Sequence, residues 1–169
     1  MSPDIQKLTS PDGYFEDFVP GMLMQHARGK TVEPLENVLI TNLVMNTAEG
    51  HFNEHAMADS MFKQRITFGG VTASLVIGLA SQDTAEDALA ELGLNKIRFR
   101  APVLHGDTLY AYTEVLEAKD SNRADAGEVL FRHWGVNQND KIVFEGERRV
   151  MIKPRSPSGD QKAHETQPA

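Results

Sequence analysis

Six histidines are the side chains of this sequence best suited to moving a proton near neutral pH. His164 lies in a proline-containing tail. His26 and His133 sit where a surface or strand role suffices, and His105 precedes Gly106-Asp107 in a turn. His51 is followed by Phe52-Asn53-Glu54-His55 and preceded by Asn46-Thr47-Ala48-Glu49-Gly50. An amide such as Asn46 orients water by hydrogen bonding but takes no proton at pH 7. A carboxylate such as Glu49 acts as a base only where its loop aims it inward. The run from His51 to His55 also fits the H-x-x-E-H zinc-hydrolase pattern, with His51 and His55 as ligands and Glu54 as base. That pattern needs one ordered helix and a third ligand from a second one. Glu49-Gly50 directly before it, and the strand-like half that follows, argue against both.

A second chemical feature is Gly69-Gly70 at the head of the apolar run Val71-Thr72-Ala73-Ser74-Leu75-Val76-Ile77-Gly78-Leu79-Ala80. Free N–H groups at a helix N-terminus suit developing negative charge, and the Gly69 N–H is the natural donor. The third is basic. Lys96, Arg98 and Arg100 fall on one face of a strand, and Arg148-Arg149 form another cationic pair. Guanidinium forks of this kind match phosphate oxygens, although a solvated strand face is the simpler reading.

The elements that must position these groups change period once. Leu35, Val38, Leu39 and Leu43 fall at helical spacing behind Pro34, which suits a first turn. A short second helix is expected over Ala56–Phe62, and the apolar run after Gly70 predicts a long helix covered by a sheet. After Gly93 the period becomes two. Strands are predicted near 96–100, 109–115, 128–136 and 141–152, with a fifth near 30–33. Asn137-Gln138-Asn139-Asp140 supplies a hairpin turn. Helices first and antiparallel strands later give an α+β class, within which periodicity leaves several architectures open.

The chain has 169 residues, the length of one domain, with 17 Lys+Arg against 24 Asp+Glu and no cysteine. The acidic balance argues against nucleic acid as partner. The absence of cysteine removes disulfides and thiolate chemistry. No apolar run approaches a membrane span, and the first residues lack a secretory pattern, so a soluble cytoplasmic protein is expected. Residues 154–169 hold three prolines and no large apolar side chain. They read as a disordered tail, and residues 1–13 as a flexible N-terminus, around one domain over 14–153.

Several segments resemble the MaoC-like dehydratases and hydratases, hot-dog proteins in which one antiparallel sheet wraps one helix. They are Tyr14-Phe15-Glu16-Asp17-Phe18 with Pro20-Gly21 and His26, Asn46 to His51, and Gly69-Gly70-Val71-Thr72-Ala73-Ser74-Leu75. Pro102-Val103-Leu104-His105-Gly106-Asp107-Thr108-Leu109 is similar to the family's P-V-x-x-G-D-T-L segment. Asn122-Arg123 to Gly127, with His133 and Asn137-Gln138, resembles the branch containing itaconyl- and mesaconyl-CoA hydratases. The likeness covers about Tyr14 to Lys153. Three positions depart from it: Asn46 stands where the family has Asp, Glu49-Gly50 replaces a proline–apolar pair, and Phe68 replaces a histidine.

The resemblance implies a single hot-dog of about five strands and a lyase that adds or removes water across the double bond of an enoyl-CoA. Short branched and dicarboxylic acyl groups are among the candidates. It assigns proton transfer to His51, positioning of water or carbonyl to Asn46, and the oxyanion donor to Gly69, with Glu49 as a further candidate. Gly70, Thr72, Ser74, Arg98 and Arg100 would contact the substrate and its CoA. Coenzyme A enters only as part of the substrate, with no other cofactor and no metal. The alternative is a non-catalytic hot-dog that binds acyl thioesters. A single layer of strands leaves unpaired edges, so a homodimer with its tunnel between subunits is expected.

Overall fold

A computed structural model of the chain describes residues 5–8 and 13–155. Six strands form one sheet: β1 (Ile5–Leu8), β2 (Leu23–Thr31), β3 (Ala88–Phe99), β4 (Thr108–Asp120), β5 (Gly127–Asn137) and β6 (Ile142–Ile152), in the order β1-β2-β4-β5-β6-β3. All neighbours are antiparallel except β1, which lies parallel to β2. Four helices lie between β2 and β3: α1 (Pro34–Leu43), α2 (Glu49–Phe52), α3 (Glu54–Met57) and α4 (Gly69–Thr84). The architecture is α+β, a hot-dog sheet around α4.

The strands follow from alternation. Along β5 every second residue is buried, from Gly127 through Val129, Phe131 and His133 to Asn137. The β5–β6 turn closes on Asn137, whose side-chain oxygen accepts from the N–H groups of Asn139 at 3.0 Å and Lys141 at 3.1 Å. Helix α4 buries Val71, Thr72, Val76 and Ala80 against the sheet. It can lie this close because β5 carries glycine beneath it. A Cβ at Gly135 would stand 2.4 Å from a Val76 methyl. Val76 and Ala80 thereby join Leu109, Ala111, Val143 and Phe144 in one apolar cluster. A second cluster packs Phe18 and Met24 on Val115, Val129, Phe131 and Ile152. Each such fully buried side chain contributes roughly 1.5–3 kcal/mol.

Three expectations change. The helix predicted over Ala56–Phe62 is replaced by two single turns, α2 and α3, separated at Asn53. Its backbone is extended (φ −109°, ψ 100°) and its side chain caps Ala56 N at 3.1 Å. Strand β3 begins at Ala88, before the alternation visible after Gly93, because three register shifts against β6 interrupt its period. The segment read as a flexible N-terminus contains β1, which adds one parallel strand to the five antiparallel strands expected. The remainder of residues 1–12, and the expected tail from residue 156, lie outside the described residues. Among the described residues no helix is long and apolar enough to cross a membrane.

Candidate active site

The site forms where the α2 turn meets the start of α4. Ala48 begins the α2 turn, and the His51 ring is left half-buried at its end. His51 Nδ1 lies 3.0 Å from the carbonyl oxygen of Ile66. A carbonyl only accepts, so Nδ1 carries the proton and the Nε2 of the neutral ring keeps its lone pair. The ring also packs on Phe68, with centroids 5.6 Å apart. Phe68 immediately precedes α4. Its carbonyl accepts from Val71 N at 2.9 Å and Thr72 N at 3.2 Å. The Gly69 and Gly70 N–H groups stand at the open end of the helix and find no acceptor among the described residues.

A pocket of about 500 Å³ lies between these elements, lined by His51, Thr67, Phe68, Gly69, Gly70, Thr72, Phe99 and Arg100 among others. The glycines belong to its shape. A Cβ at Gly69 would stand 2.8 Å from the Phe99 ring, and one at Gly70 would stand 2.4 Å from the Phe68 ring. Thr67 is buried and its hydroxyl has no partner among the described residues.

Of the residues singled out in the sequence, the pocket gathers His51, Gly69, Gly70, Thr72 and Arg100. The others lie elsewhere. Asn46 Oδ1 accepts from Ala48 N at 3.2 Å, inside its own loop. The exposed carboxylate of Glu49 accepts from Asn53 Nδ2 at 2.9 Å. Ser74 lines a separate groove of about 400 Å³ between α4 and β2. Arg98 is exposed on β3.

The expected phosphate-binding cations are also largely committed. Arg100 pairs with Glu145 at 2.6 Å, Lys96 with Glu147 at 3.1 Å and Arg149 with Glu117 at 3.0 Å. Arg148 is buried against Glu91. The Arg100 hydrogen bond, ahead of the smaller effect of partial burial on its balance, holds the Glu145 carboxyl below its ordinary range.

The zinc reading fails on geometry. Asn53 breaks the helix between His51 and His55, so the two do not share a face one turn apart. Glu54 is bonded to Arg65 Nε at 2.6 Å. Among the described residues no three His, Asp or Glu side chains converge as metal ligands.

Two features carry no local sequence signal. Asn37 is fully buried on α1 and bonds both sides of the site: Nδ2 donates to the His51 carbonyl at 2.9 Å, and Oδ1 accepts from Phe68 N at 2.9 Å. A buried chain of polar groups also crosses the core behind α4. It runs from Asp83 to His26 (2.6 Å), to Thr113 (2.7 Å) and to His133 (2.8 Å).

One sheet wrapped on one helix, with a histidine beside the helix's open N-terminus, defines a single hot-dog domain of the MaoC type. The family model for mesaconyl-CoA hydratase matches residues 4–154, and the chain belongs to that family. It is 33% identical over 165 residues to the mesaconyl-CoA hydratase of Haloarcula marismortui, covering 90% of this chain and 45% of that protein. It is 30% identical over 143 residues to the (R)-specific enoyl-CoA hydratase of Rhodospirillum rubrum, covering 84% of this chain and 93% of that one. The crystal structure of a MaoC domain protein dehydratase from Chloroflexus aurantiacus superposes with a TM-score of 0.81 at 29% identity, over 96% of this chain and 46% of that one. The chain thus spans about half the length of the mesaconyl-CoA hydratases it matches.

Proposed function

We propose that this protein is a carbon–oxygen lyase that adds water to, or removes it from, an enoyl-CoA thioester at the His51–Gly69 pocket. The observation that carries this reading is the pairing of a histidine with a free Nε2 and a helix start with two unclaimed N–H groups on one pocket. In the hydration direction, His51 Nε2 accepts a proton from water as the water oxygen bonds to C3 of the acyl group. The electrons of the double bond move to the thioester oxygen, which the Gly69 and Gly70 N–H groups hold as an enolate. The imidazolium then returns the proton to C2, so one water is consumed and His51 is restored. Asn46 lies outside the pocket lining and acts through the loop before His51, which its Oδ1 holds.

CoA enters as part of the substrate, and no other cofactor is needed for these steps. The relatives' names support a short acyl group, mesaconyl-CoA foremost. The acidic, cysteine-free composition supports a cytoplasmic setting without nucleic-acid or membrane partners. A homodimer completes the molecule. Strand β3 ends the sheet order with one edge unpaired, and Leu92, Leu94, Ile97 and Phe99 along it are exposed. A two-fold pairing along it would bury ~2,000 Å² or more in total. Sedimentation at low micromolar concentration shows a dimer on this reading. A stable, active 18.7 kDa monomer contradicts it.

A second reading, an acyl-thioester binder without turnover, is favoured by one observation: no carboxylate lines the pocket. Crotonyl-, mesaconyl- and itaconyl-CoA, followed by loss of the conjugated-thioester absorbance, separate the two. Turnover of one or more supports the lyase. Saturable binding of the same compounds without turnover supports the binder.

A further inference from the structure

We infer that Asn37 is a positioning residue that sets the distance between the proton-transfer group and the oxyanion donors. This rests on the hydratase reading for its kinetic consequence, but the geometry stands independently. Helix α1 contributes nothing to the pocket lining, yet it sends one fully buried side chain between the two elements that do.

The Asn37 amide makes two bonds of opposite sense: its NH₂ donates to the His51 carbonyl and its oxygen accepts the Phe68 N–H, each at 2.9 Å. An amide is suited to this because it carries a donor and an acceptor on one planar group. Phe68 is the residue from which α4 starts, and His51 carries the imidazole that packs on its ring. A shift of either bond therefore displaces the His51 ring relative to the Gly69 N–H. Misplacement of reacting groups by ~1 Å costs about 100-fold in rate.

Asn37 is itself rigidly held. Its own carbonyl accepts from Thr41 Oγ1 at 2.7 Å, and Pro34 together with the Glu33–Glu36 capping pair fixes the head of α1. The bridge also settles which N–H groups remain free. It occupies the Phe68 donor and leaves those of Gly69 and Gly70 for the pocket.

Asn37→Asp removes one of the two bonds and Asn37→Ser removes both. Aspartate keeps the acceptor for Phe68 N–H but sets a carboxylate against the His51 carbonyl. Serine is too short to span both. Both variants are expected to lower kcat by ~10- to 100-fold with KM changed less than about 3-fold. A merely structural Asn37 would lower Tm and leave kcat of the folded fraction intact, and that result overturns the proposal.

Amide hydrogen exchange of the unmodified protein supplies a test that needs neither a folded variant nor turnover. Phe68 N–H is expected to exchange at least ~100-fold more slowly than the Gly69 and Gly70 amides, since it alone of the three is hydrogen-bonded. Equal exchange of the three overturns the proposal. If the protein turns over no enoyl-CoA while Phe68 is protected, the bridge stands and the hydratase reading fails.

Discussion

His26 Nδ1 donates to Asp83 Oδ2 at 2.6 Å and ties the middle of β2 to the last turn of α4. The partners are 57 residues apart, and both are buried. Desolvation pushes the His26 pKa below its ordinary value, against the opposing pull of Asp83. A neutral His26 with its proton on Nδ1 accepts the Thr113 hydroxyl at Nε2, and Thr113 then accepts from His133 Nδ1. The order of protons along the chain is fixed by its first member.

Asp83→Ala leaves the His26 N–H buried without an acceptor. The expected loss is ~1–3 kcal/mol in urea unfolding, because an orphaned buried donor costs its full desolvation. Asp83→Asn, which can still accept through its amide oxygen, should lose less.

His133 makes stability depend on acid. Complete burial, reinforced by the nearby charge of Arg148, lowers its pKa from 6.5 to about 3. The unfolded chain therefore binds a proton near pH 6.5 that the folded chain refuses until about pH 3. The contribution of this group is fully present above pH 6.5 and is lost as pH falls through that window, by at most ~1.4 kcal/mol per pH unit. His133→Phe should flatten the acid limb of a stability-against-pH curve while lowering stability at pH 8, where Thr113 loses a partner. An unchanged acid limb would contradict the assignment.

Gly70→Ala tests the shape of the pocket. Its Cβ would meet the Phe68 ring at 2.4 Å, and that ring supports His51. Gly69→Ala would meet the Phe99 ring at 2.8 Å, a ring that packs on Phe144 and not on His51. The first variant should lose ~10-fold or more in kcat. The second should lose less, with both proteins folded by circular dichroism.

Asn46 and Glu49 are separated by what they hold. Asn46→Ala frees the Ala48 N–H and loosens the turn that carries His51, so activity should fall ~10-fold or more. Asn46→Asp should be tolerated. Glu49→Gln replaces an exposed carboxylate that bonds only Asn53, and kcat should stay within about 2-fold. Abolished activity in Glu49→Gln would make that carboxylate the base.

The sheet and the long helix were legible because burial repeats along them: every second residue on β5, and Val76 and Ala80 on α4 beneath Gly135. Strand β3 was legible only in part. It ends the sheet, most of its residues are exposed, and its register against β6 shifts three times. His51 and Gly69 could be proposed from residue type and resemblance, since the role proposed for each lies in its own atoms. Asn37 could not. Its partners lie 14 and 31 residues away, and a buried amide inside a helix leaves no periodic trace. Thr67 is silent for the same reason, its buried hydroxyl meaning something only beside the pocket. The arginines show a different limit of the sequence: their strand spacing suggested phosphate, while the acidic residues that pair with Arg100, Arg148 and Arg149 lie far along the chain.

Proton transfer through His51 is the step on which the proposed hydration of an enoyl-CoA rests. It is tested most directly by comparing kcat of the parent protein and His51→Ala on the best substrate among crotonyl-, mesaconyl- and itaconyl-CoA. A fall of ~10²–10⁴-fold is expected, with fold and oligomeric state unchanged. A folded His51→Ala protein that turns over at nearly the parental rate would contradict it.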